Sequence, residues 1–201
     1  MNDSFRTIKK PSQPVLFKDK NSKFHGYAFP FESDNNLKSL ISKLRKAHQN
    51  AGHFCFAYQI GAGQNTQYKV NDDGEPNNSA GMPIYGQIQS FELTNVLVVV
   101  VRHFGGTKLG VSGLINAYRT TAKLALEQCE IIEKTINVRF ELQFEYKLMS
   151  KVMQLLRKNN VDILNQTLTE HCLLEISVRK GNRMKVFQLF ENFYGVDIVE
   201  L

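Results

Sequence analysis

No stretch of this 201-residue chain approaches the roughly 20 consecutive apolar residues that a membrane-crossing helix needs. The longest apolar run, residues 96–101, is the length of a strand. The opening MNDSFRTIKKPSQP lacks an apolar signal core, so export is not expected. Cysteine is scarce: Cys55, Cys129 and Cys172 form no CxxC pair and have no histidine repeat beside them. That excludes a zinc ribbon and speaks against a disulfide framework. Each lies among apolar neighbours, as a reduced, buried thiol would, and a cytoplasmic location follows. Catalytic signatures are missing too. There is no GxSxG elbow, no HExxH, no phosphate loop of the GxxxxGK[ST] kind and no GxGxxG fingerprint. No catalytic residue, cofactor or metal is therefore assigned.

What is present is ordinary globular material, 42% hydrophobic and 22% charged, which argues against disorder. The net charge of +6 is uneven: residues 1–130 carry 15 basic against 10 acidic side chains, residues 131–201 carry 10 against 9. The basic excess permits a phosphate-rich partner without the dense stripe of a dedicated nucleic-acid binder.

The patterning changes near residue 131 and divides the chain into a tail (1–14), an N-terminal domain (15–130) and a C-terminal domain (134–201). Strands are expected at 15–19 and 23–31. Ser33 or Asp34 is placed to cap a helix whose Leu37, Leu40, Ile41, Leu44 and Ala47 share one face. Lys38, Lys43, Arg45 and Lys46 fall on its solvent side, and Gly52 stands beyond as a terminator. HFCFAYQIG (53–61) alternates like a half-buried strand and pairs with a return strand at 66–71. After a turn-rich loop at 71–83 and a short helix at 80–91, TNVLVVVV (94–101) reads as a central strand covered on both faces. The next helix, with Ser112 as its cap, buries Leu114, Tyr118, Ala122, Ala125 and Cys129. Beyond 131 the order is βαββαβ: a long strand at 135–146, a helix from 149, strands near 161–169 and 171–179, a helix packing Val186, Phe187, Phe190 and Tyr194, and a last strand. This is the ferredoxin-like split unit, and the chain as a whole is α+β.

Three features carry the candidate chemistry. The turn RHFGGTKLGVSG (102–113) runs from a buried strand into a helix start with glycines at 105, 106, 110 and 113. Glycine permits positive φ and close approach of a ligand, and helix-start amides attract anions; Arg102, Lys108 and Ser112 add charge and a hydroxyl. The competing reading is a tight crossover whose glycines serve packing alone. DDGEP puts Asp72, Asp73 and Glu75 within four residues, which suits a divalent metal, a loop-ordering role or an ordinary turn that caps the next helix or pairs with Arg102 or Lys108. His53 and His103 offer proton chemistry or a hydrogen-bonded structural role, whereas His25, His48 and His171 look incidental.

Taken in order, HFCFAYQIG (53–61), DDGEPNNSAGMPI (72–84) and NVLVVVVRHFGGTKLGVSGLINAY (95–118) resemble the YigZ/IMPACT family over most of residues 15–128. The resemblance implies an N-terminal βαβα-type domain like the second domain of a small-subunit ribosomal protein. It also implies a C-terminal domain similar to a ferredoxin-like domain of elongation factor G. Eukaryotic members of the family regulate translation by competing for a protein activator of an initiation-factor kinase. The function implied is a non-enzymatic, translation-associated protein that meets RNA or a ribosomal surface, with a translation-related protein partner as an alternative. An enzyme acting on a phosphorylated or nucleotide-like small molecule is the other reading, and no membrane partner or oligomeric state is implied. The residues assigned to the binding surface are His53, Asp72, Asp73, Glu75, Arg102, His103, Gly105, Gly106, Lys108, Gly110 and Ser112. This chain departs from the family in having His103 where a tyrosine is usual and Asn77-Asn78-Ser79 after DDGEP. It also has Asn116 where an arginine is common, with Arg119 or Lys123 available one and two turns on.

Overall fold

The computed structural model describes residues 3–201, apart from the side chain of Gln64. The chain divides between Lys134 and Thr135 into two compact units, with Asp3 and Ser4 grouped with the second. No helix among the described residues is long and apolar enough to cross a membrane.

The larger unit runs β1 (Ser4–Ile8), β2 (Val15–Asp19), β3 (Ser22–Pro30), α1 (Leu37–Ala47), β4 (His53–Ile60), β5 (Gln67–Asn71), α2 (Gly81–Ser90), β6 (Val96–His103), α3 (Gly110–Glu127) and β7 (Ile131–Thr135). Five strands form one antiparallel sheet in the order β2-β3-β6-β4-β5. The β-branched run in β6 takes the centre, buried without a break from Val96 to Arg102. Its side chains alternate between two cores. Val96, Val98 and Val100 pack with Tyr118, Ala122 and Leu126 of α3 and Ile84 and Ile88 of α2. Leu97, Val99 and Val101 pack with Phe54, Phe56, Tyr58 and the Leu37, Leu40, Ile41, Leu44 stripe of α1.

Because both faces are covered, β4 is buried on both sides instead of half-buried as its alternation suggests: Phe54, Phe56 and Tyr58 face α1 while Cys55 and Ala57 face α3. Helix α1 follows a single 3₁₀ turn, Asp34–Asn36, capped by Ser33 Oγ, which accepts from Asn35 N at 3.3 Å. It ends at His48, before Gly52 can act as terminator; His48 N donates to Leu44 O at 2.9 Å. Ser112 does not cap α3. The helix starts two residues earlier, behind Leu109, with no side-chain cap, and Ser112 lies exposed in its first turn.

The segment expected to be a tail carries β1, which joins β7 in a two-stranded sheet. Thr94 N donates to Arg6 O at 3.0 Å and Lys9 N to Glu130 O at 2.9 Å, so backbone bonding anchors this segment. Asp3 is clasped by Arg179 through two bonds of 2.6 and 2.8 Å, which holds its carboxyl below the usual carboxylate range.

The smaller unit contains β8 (Asn137–Glu145), α4 (Met149–Lys158), β9 (Asp162–Thr167), β10 (His171–Arg179), α5 (Arg183–Glu191) and β11 (Val196–Glu200). Its sheet order β11-β8-β10-β9 is that of the ferredoxin-like split unit. The strand expected over 135–146 is β8, Asn137–Glu145, and the separate strand β7 precedes it, ending at Thr135. Phe140, Leu142, Phe144, Leu174, Ile176 and Val178 meet Val152 and Leu156 of α4 and Val186 and Phe190 of α5. Tyr194 takes no part in that core. It lies three residues past the end of α5, after the helical period is lost, and is 98% exposed.

These positions set a contrast. Phe190→Ala is expected to cost about 3–5 kcal/mol in urea unfolding followed by circular dichroism, the usual range for a deleted core phenylalanine. Tyr194→Ala should stay within about 0.5 kcal/mol of the parent. Equal losses at the two sites would contradict the packing described.

Candidate functional site

The strand register separates the expected site residues onto opposite faces of the five-stranded sheet. His53 pairs with Arg102 across β4 and β6, and both side chains lie on the face covered by α2 and α3. His103, one residue further along β6, points to the α1 face.

On the α2–α3 face the acidic loop and the strand end meet in a buried network. Arg102 Nη1 donates to Glu75 Oε1 at 2.7 Å, with both side chains almost fully buried. The Tyr118 hydroxyl of α3 donates to the same oxygen at 2.7 Å, and His53 Nε2 stands 3.9 Å from it. The Arg102 guanidinium also lies over the rings of Phe24 and Phe104, 5.6 and 5.3 Å from their centroids. Burial pushes the Tyr118 hydroxyl and the Cys55 thiol well above their ordinary values, so neither ionises near neutral pH. Cys55 is inert; its thiol donates to Asp72 O at 2.9 Å.

Each remaining carboxylate of the loop has a backbone task. Asp72 accepts from Ala80 N and Gly81 N at 2.9 and 2.8 Å, capping α2 from eight and nine residues upstream, and from Asn78 N at 2.9 Å. Asp73, at φ +42°, accepts from Phe54 N at 2.7 Å and pairs with Arg45 at 3.0 Å, while its carbonyl accepts from His53 Nδ1 at 2.9 Å. Glu75 pairs with Arg102, and Lys108 stays exposed.

The glycine turn sits at the same end of the sheet. A Cβ on Gly105 would collide with the backbone of Asn21 and Ser22, so this glycine lets the turn rest on the β2–β3 connection. Gly106 and Gly110 hold φ of +87° and +74°, conformations that favour glycine, and both face open space.

On the α1 face the structure brings together residues that sequence spacing passed over. His25 and His103 are diagonal neighbours on adjacent strands, since His25 lies opposite Val101 and Lys23 opposite His103. His48, at the end of α1, completes the group: its Nδ1 is 3.0 Å from His103 Nε2 and its Nε2 is 2.6 Å from the Tyr27 hydroxyl. The three rings line a hollow of about 520 Å³ together with Leu16, Lys18, Asn21, Lys23 and Phe104. Burial, then the neighbouring imidazoles, lowers the pKa of His25 and of His48, which keeps both neutral at pH 7. Phe104 stands 55% exposed at the rim. The only sequence signal was the period-2 spacing that puts residues 25, 27, 101 and 103 on one face; contact with His48 depends on where α1 ends.

The Impact N-terminal domain family model matches residues 20–126, which contain both clusters. An IMPACT family member of Haemophilus influenzae is 34% identical over 172 residues, covering 83% of this chain and 84% of the relative. The IMPACT family member YigZ of Escherichia coli is 30% identical over 171 residues, 84% of each chain. A crystal structure of a protein described only as hypothetical superposes with a TM-score of 0.75 at 26% identity, covering 100% of this chain and 98% of its own. The chain therefore belongs to the IMPACT family.

The buried pair makes a testable demand on the fold. Arg102→Leu, leaving Glu75 buried without its counter-charge, should lose about 3–5 kcal/mol in urea unfolding, and adding Glu75→Met should restore most of it. A loss under about 1 kcal/mol for Arg102→Leu would show that the pair does not organise this end of the sheet.

Proposed function

We propose that this chain is a non-enzymatic, cytoplasmic, translation-associated protein that binds single-stranded RNA, alone or on the ribosome, at the hollow beside the glycine turn. The carrying observation is the exposed Phe104 at the rim of a hollow whose lining, among the described residues, includes Lys18 and Lys23 and no carboxylate. An exposed aromatic ring flanked by lysines is how single-stranded nucleic acid is held without sequence readout: bases stack and phosphates pair. Lys108 is exposed four residues beyond Phe104 in the same turn. Family membership supports the link to translation, because the family's eukaryotic branch regulates translation. Free cysteines fit a reducing cytoplasm.

Arg102 leaves the binding set, because its charge is neutralised inside the protein. Asp72, Asp73, Glu75 and His53 support the turn from beneath and do not meet the ligand. Their engagement also weighs against the enzyme reading, since the acidic loop has no carboxylate left to hold a metal or move a proton.

Filter binding to a single-stranded ribosomal RNA fragment tests this. Phe104→Ala should weaken binding by about 1–3 kcal/mol through lost stacking. The triple change Lys18→Ala, Lys23→Ala, Lys108→Ala should flatten the salt dependence by about 2 in the log–log slope. RNA affinity that ignores salt and both variants would rule out this surface.

A further inference from the structure

We infer that His25, His48 and His103 form a binding site for one divalent transition-metal ion of the zinc class, held by three imidazoles with a fourth position open to the hollow. One ligand nitrogen from each histidine lies within 4.8 Å of the other two, and the His48 Nδ1 to His103 Nε2 separation is 3.0 Å. Around a tetrahedral zinc with bonds of about 2.0–2.1 Å, ligand nitrogens stand about 3.3–3.4 Å apart. The His48–His103 pair is already close to that spacing, and His25 lies within 4.8 Å of both.

The elements that carry the ligands are firm. His25 lies inside β3 and His103 ends the central strand β6, while His48 is tied by its backbone to the last turn of α1. A second shell is in place as well. When Nδ1 of His48 faces the ion, its Nε2–H points at the Tyr27 oxygen 2.6 Å away, fixing the tautomer and ring plane as partners of metal-bound histidines do.

Two imidazole nitrogens face each other at 3.0 Å, a contact that needs a proton on one of them. His25 makes ring contacts, 4.7 Å from His48 and 5.4 Å from His103 between centroids. A cation placed among the three rings would be shared by three neutral lone pairs. Three neutral nitrogen donors suit zinc, copper or nickel better than magnesium or calcium, which prefer oxygen. Lys18 and Lys23 of the hollow favour water, hydroxide or another anionic oxygen in the fourth position.

The test uses tag-free, chelator-stripped full-length protein and Zn²⁺ alone in isothermal titration calorimetry, with no RNA present, so that its outcome is independent of the RNA reading. One ion per chain with a Kd below about 1 µM is expected, and Co²⁺ should give the intense visible bands of a tetrahedral site. His25→Ala and His103→Tyr should each weaken Zn²⁺ at least 10- to 100-fold. His103→Tyr restores the usual family residue, so retained circular dichroism and thermal midpoint separate lost ligation from lost folding. His53→Ala and His171→Ala should leave the affinity unchanged. The proposal is overturned by a Kd weaker than about 100 µM, by octahedral Co²⁺ spectra, or by zinc affinity that survives His25→Ala and His103→Tyr.

Discussion

One end of the five-stranded sheet is organised around a buried ion pair, Arg102 with Glu75. A charge taken out of water is tolerated only when it is paired and hydrogen-bonded, and here Tyr118 adds a second donor to the same carboxylate oxygen. The pair joins three segments distant in sequence: the acidic loop, the end of the central strand and the helix after the glycine turn. With Arg102 held inward, His103 must point outward to the α1 face and Phe104 emerges at the rim. The alternation of β6 thus sends Arg102 and His103 to opposite faces of the sheet.

Two loops that look like a joint binding site in sequence therefore have different roles. The DDGEP carboxylates build the support: Asp72 caps α2, Asp73 holds the start of β4 and Glu75 neutralises Arg102. The glycine turn, stacked against the β2–β3 connection through Gly105, presents Phe104 and Lys108 outward. Beside the turn lies the hollow lined by Lys18, Lys23 and the three histidines.

Much of the fold was legible because hydrophobic period is a strong signal. The β-branched run of β6, the α1 stripe and the βαββαβ order all follow from spacing. The misreadings arose where tertiary context outweighed local pattern. β4 alternates like an edge strand but is buried on both faces because it neighbours β6. Ser112 is a good capping residue that sits two positions too late. Tyr194 fits the helical stripe only if α5 continues past Glu191, and it does not. The histidine cluster was illegible for a different reason. Its members are 23 and 55 residues apart along the chain, on two strands and a helix end, and no ligand spacing encodes a contact made by sheet register.

Chemical-shift mapping of the intact protein titrated with an unstructured single-stranded RNA at two salt concentrations tests the location of the functional surface most directly. Perturbations confined to residues 16–25 and 103–108, shrinking as salt rises, are the expected result. Perturbations centred on the exposed faces of α2 and α3 or on the C-terminal sheet, or none at all, would contradict an interface at the Phe104 hollow.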